Sequence, residues 1–100
     1  MFHIVVHCKP NRGNEESYGK VVGAYASVLI DYKDYYGAVE LSKYYVNDNG
    51  WRVIEVDEEY FVFEGKGDLP DDYRQYFHEV AEYGYSITFN AYRSETDYSQ

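Results

Sequence analysis

Apolar and polar positions alternate over residues 2–8. Phe2, Ile4, Val6 and Cys8 fall on one side; His3, Val5 and His7 fall on the other. Period two with β-branched residues predicts a strand. Residues 9–17 are polar and rich in turn formers, and they predict a loop. Period two returns over residues 21–31. Ala24, Ala26, Val28 and Ile30 take one face; Tyr25, Ser27 and Leu29 take the other. Both faces are apolar enough to place this strand in the middle of a sheet.

The period then changes. Ala38, Leu41 and Tyr45, with Val39 and Val46 beside them, follow helical spacing over residues 34–49. Asp34 is the expected N-cap, and Gly50 stands where a left-handed residue would end the helix. Residues 51–56 read as a strand, Asp57-Glu58-Glu59 as a short acidic turn, and residues 60–64 as the partner strand of a hairpin. Gly65 to Pro70 breaks the pattern. Asp68 and Pro70 mark the start of a second helix over residues 71–83, whose apolar stripe is Tyr73, Tyr76, Phe77, Val80 and Ala81. Gly84 ends it, and residues 85–93 form a last strand.

From residue 21 onward the order is β-α-β-β-α-β. That order predicts an α+β sandwich on the ferredoxin-like plan, with two helices on one face of a mainly antiparallel sheet. Residues 2–8 add an N-terminal strand. In the ferredoxin-like sheet the first strand already has both neighbours, so the added strand pairs at an edge or the order departs from the plan. The domain is expected to span residues 1–93, with a polar tail over 94–100.

Charge changes the picture. Residues 1–50 hold five Lys/Arg against six Asp/Glu, a net of −1; residues 51–100 hold four against twelve, a net of −8. The total of −9 disfavours direct contact with nucleic acid or anionic lipid and favours basic partners. The longest apolar stretch, residues 21–30, is too short to span a bilayer. No charged-then-apolar leader opens the chain. Cys8 is the single cysteine, so no internal disulfide forms. The expectation is a cytoplasmic protein.

The familiar chemistries find little support. On a strand, His3 and His7 lie about 13 Å apart, too far for one ion with bonds of about 2 Å. Cys8 belongs to the apolar side of its strand, and His7 points to the opposite face. Gly65-Lys66-Gly67 lacks the Walker spacing, and Asp68, Asp71 and Asp72 occupy the helix start that an anion would need. Those acids with Glu64 lack the alternating register of an EF-hand loop. Neither Gly-x-Ser-x-Gly nor Cys-x-x-Cys occurs. No catalytic residue, metal ligand or cofactor is expected.

The remaining candidate is an acidic surface. Asp72, Gln75, Glu79 and Glu82 recur on one side of the second helix, opposite its apolar stripe. Glu55, Asp57, Glu58 and Glu59 cluster at the expected hairpin tip. Such clusters raise association rates and select basic partners, although acids also coat ordinary solvent-facing helices. In Tyr35-Tyr36 and Tyr44-Tyr45 only one ring of each pair can face the core; Tyr36 and Tyr44 are taken as partner contacts. The expected function is non-catalytic docking on a positively charged protein, as an inhibitor, an immunity protein or a nucleic-acid mimic. The alternative is a homodimeric regulatory domain binding a small ligand at its interface.

Overall fold

The structure, a computed structural model, describes residues 1–64, 71 and 76–93. The elements run β1 (Phe2–Pro10), β2 (Gly23–Ile30), α1 (Tyr35–Asp48), β3 (Trp51–Val62), α2 (Phe77–Tyr83) and β4 (Tyr85–Tyr92). The α+β class is as expected. The four strands form one antiparallel sheet in the order β3-β1-β2-β4. β2 is central, as its two apolar faces predicted. β1 is central as well: it pairs with β2 from Phe2↔Ile30 to Cys8↔Ala24, and with β3 along its other side.

Two expectations are corrected. The ferredoxin-like plan with an added strand calls for five strands; four lie among the described residues, because residues 51–56 and 60–62 belong to one strand. A hairpin through Asp57-Glu58-Glu59 would need backbone that turns sharply, commonly with φ above zero. Among the described residues only Gly19, Gly50 and Gly84 have positive φ. β3 instead continues along β1 and absorbs its surplus residues as bulges. Ile4 faces Tyr60 and Val6 faces Val56, so the three acids oppose Val5 alone. A second shift lies between His7↔Glu55 and Cys8↔Val53, where Ile54 is extra. The acidic segment is thus the bulged middle of an edge strand, where bulges and charge discourage edge-to-edge pairing.

The second correction concerns the helices, which pack on opposite faces. Alternation sends Ile4, Val6 and Cys8 of β1, and Ala24, Ala26, Val28 and Ile30 of β2, into one cluster with Ala38 and Val46 of α1 and Trp51 of β3. Leu29 points the other way and meets Val80 of α2, with Met1, Phe63, Tyr76 and Phe77 around it. Val28, Leu29 and Ile30 are therefore all buried: this end of β2 is covered on both faces. Ser86 Oγ donates to the Glu79 carboxylate at 2.8 Å and ties α2 to β4.

The local signals at the helix ends act as expected. Asp34 accepts a hydrogen bond from the Gly37 amide at 2.7 Å. Gly84 ends α2 in the left-handed conformation, its amide bonded to the Val80 carbonyl. Buried Ser42 donates to the Ala38 carbonyl at 2.7 Å, so α1 leaves its hydroxyl satisfied. Residues 65–70, 72–75 and 94–100, which include the expected breaker loop, the start of the second helix and the tail, lie outside the described residues. Among the described residues no helix is long and apolar enough to cross a membrane.

Candidate functional site

The sheet face opposite α1 carries His7 between two cross-strand neighbours. β2 places Tyr25 directly opposite it, and β3 places Glu55 on its other side. The imidazole stacks on the Tyr25 ring, with centroids 4.8 Å apart and planes 19° apart. His7 Nε2 is hydrogen-bonded to Tyr92 Oη at 2.5 Å. A depression of about 220 Å³ lies here, lined by Val5, His7, Tyr25, Glu55 and Asp57.

Tyr92 reaches His7 because its opposite number on β2 is Gly23. A Cβ on Gly23 would sit 2.6 Å from Tyr92 Oη and 2.9 Å from the Cys8 carbonyl oxygen. Gly23→Ala is therefore expected to cost about 1–3 kcal/mol and to push the phenol off the imidazole. Urea unfolding together with the imidazole NMR signals of His7 would check it. A variant as stable as the parent, with unmoved His7 signals, would contradict this packing.

A larger depression of about 510 Å³ lies between α1 and the edge strand β3. Its apolar lining comes from Tyr35 and Val39 on α1 and from Val53 and Val56 on β3. Tyr36, which is 82% exposed, and Ile54, which is 45% exposed, add further apolar surface. Glu40, Glu55, Asp57 and Glu58 supply the charge. Lys43 is the basic lining residue among those described, and it bridges to Glu40 at 3.2 Å. Glu55 and Asp57 line both depressions.

The structure thus brings four of the expected partner-binding residues together: Tyr36, Glu55, Asp57 and Glu58. Glu59 follows them on the bulge, exposed, with its amide donating to the Asp57 carboxylate at 3.3 Å. Glu79 and Glu82 sit exposed on α2 and line neither depression. Tyr44 is 61% exposed on α1, edge-on to Tyr45 at 5.7 Å, and also lies outside both. Its neighbour Tyr45 turns inward and stacks on Tyr85 at 3.7 Å, as Tyr35 stacks on Tyr60 at 4.0 Å. One ring of each tyrosine pair faces inward, as expected. Asp72 lies outside the described residues.

Sequence reasoning placed His7 and Tyr25 on this sheet face but did not join them to Tyr92 and Glu55. Those partners follow from strand order, which local pattern does not carry. The one local hint was Gly23, a small residue at the start of a strand.

The groups whose ionisation burial shifts line neither depression. Burial lowers the His3 pKa; His3 Nε2 is hydrogen-bonded to Ser27 Oγ at 2.6 Å, and its ring stacks on Phe61 at 6.1 Å. Partial burial raises the Tyr45 pKa, with neighbouring Tyr85 and Tyr44 adding to the shift. Burial pushes the Cys8 thiol up to about 12, and Cys8 Sγ donates to the Ala24 carbonyl at 3.4 Å. The thiolate is the reactive form, so Cys8 is expected to resist alkylation by iodoacetamide at pH 8 and to label fully in denaturant. Rapid labelling of the folded protein would contradict its burial.

Among the described residues no group of three or more His, Cys, Asp or Glu side chains is placed to hold a metal ion. Comparison of the chain with protein-family models, curated proteins and solved structures gives no match.

Proposed function

We propose that this protein acts without catalysis, by docking the α1–β3 groove on a positively charged surface of another protein. The arrangement suits an inhibitor, an immunity protein or a nucleic-acid mimic. The observation that carries this reading is the groove itself: Tyr36 and Ile54 are exposed beside Glu55, Asp57 and Glu58. Exposed aromatic and aliphatic surface supplies contact energy, and the carboxylates select a basic partner and speed its approach. The bulge opposite Val5 holds Asp57, Glu58 and Glu59 out of the regular ladder, where they can meet a second protein rather than a neighbouring strand. A reducing compartment such as the cytoplasm suits the single buried thiol.

A small-ligand regulatory domain is the second reading, and the α1–β3 depression, at about 510 Å³, is of a size that takes a small molecule. The two readings part experimentally. A basic partner isolated from the native host at low salt, released as salt rises, and bound again as a purified protein supports docking. A homodimer whose melting temperature rises with a small metabolite, and which has no protein partner, supports the second.

A further inference from the structure

We infer that the depression at Val5, His7, Tyr25, Glu55 and Asp57 is an anchor site for one arginine side chain of the docking partner. The inference rests on the docking reading above and names the group that is recognised. Three features point to a guanidinium. The first is an aromatic face: the His7 imidazole stacks on Tyr25 with planes 19° apart, and its other side is turned towards Glu55 of β3. The second is a pair of carboxylates, Glu55 and Asp57, lining the same hollow. A guanidinium is planar, stacks on aromatic faces and binds carboxylate through two parallel N–H bonds; an ammonium does neither of the latter as well. The third is place. Glu55 and Asp57 line both this hollow and the α1–β3 groove, so a chain seated in the groove is within reach of the hollow.

Size favours a side chain over a free metabolite. The hollow measures about 220 Å³, below the roughly 300 Å³ at which small-molecule pockets begin. An arginine entering it would stack on the outer face of the His7 imidazole, which Tyr25 backs, with Glu55 or Asp57 at its N–H edge. The His7–Tyr92 hydrogen bond, at 2.5 Å, fixes the imidazole for that contact.

The test titrates the isotope-labelled protein at low salt with capped Gly-Arg-Gly-Arg-Gly and, separately, capped Gly-Lys-Gly-Lys-Gly. The arginine peptide is expected to shift the amide signals of Val5, His7 and Tyr25 and to bind roughly three- to fivefold more tightly than the lysine peptide. His7→Leu, which removes the aromatic face, is expected to remove that preference. The double variant Glu55→Gln/Asp57→Asn, made at exposed positions, is expected to weaken both peptides without altering the fold. Equal binding of the two peptides, or shifts confined to Tyr36, Ile54 and Glu58, would overturn the arginine anchor and leave groove docking standing. Absence of any shift with either peptide would also overturn the anchor; the docking reading is then judged separately, by charge reversal against the purified partner.

Discussion

Reversing Glu55, Asp57 and Glu58 to lysine together is expected to weaken partner binding by about a hundredfold or more, with little change in stability. The three residues are exposed on β3, and exposed charges contribute roughly 0.2–1 kcal/mol each to a pairing. Reversal replaces each attraction by a repulsion, so the three together approach about 3 kcal/mol, or roughly a hundredfold. The net charge moves by six units from −9, which also slows the approach of a basic partner. Calorimetry with the purified partner at low and high salt reads both effects. Wild-type affinity should fall as salt rises, and the variant should lose that dependence. The matched control is Glu82→Lys on α2, which changes charge away from both depressions. Should the triple variant bind as tightly as the parent while Glu82→Lys does not, the docking surface lies on α2 rather than at the β3 edge. A stability loss well beyond about 0.5 kcal/mol, the usual bound for surface positions, would mean that the bulged acids are structural.

Ile4→Ala is expected to be strongly destabilising. Ile4 is fully buried on β1, with Val28 opposite on β2 and Tyr60 opposite on β3. It belongs to the cluster that joins the sheet to α1. Removing its outer methyl groups loses their transfer energy and leaves a cavity, at a cost of about 2–5 kcal/mol. A domain of this size holds only about 5–15 kcal/mol in all. At roughly 4–8 °C per kcal/mol, the melting temperature should fall by about 8–40 °C. Ile54→Ala removes the same atoms from the outside of the edge strand and should change stability by about 0.5 kcal/mol or less. Circular dichroism melts of the two variants give the comparison directly. If Ile54→Ala proved the more harmful, the inward and outward sides of the sheet would have to be exchanged.

The acidic surface was legible as composition but not as geometry. Glu55, Asp57, Glu58 and Tyr36 stand out in the sequence as charge and exposed aromatic surface. They form one groove because β3 runs beside α1, and that contact joins residues far apart in the chain. Asp57-Glu58-Glu59 resembles a turn because a polar triplet between two apolar runs ordinarily is one. β1 overrode that local preference: with nine residues it offers ladder partners as far as Val62, so the backbone gains more by bulging than by reversing.

Local pattern by itself determined the strands at 2–8, 21–31 and 85–93, the helix between Asp34 and Gly50, the end of α2 at Gly84, and the inward ring of each tyrosine pair. Those features depend on periodicity, capping and steric preference within a few residues. Only the tertiary structure decided the strand order, the continuity of β3, the placement of α2 opposite α1, and the meeting of His7 with Tyr25, Tyr92 and Glu55. Each of these rests on which strands share hydrogen bonds and which apolar face remains to be covered. The run Val28-Leu29-Ile30 records that both faces needed cover; it took the packing of Val80 on Leu29 to say what covers the second.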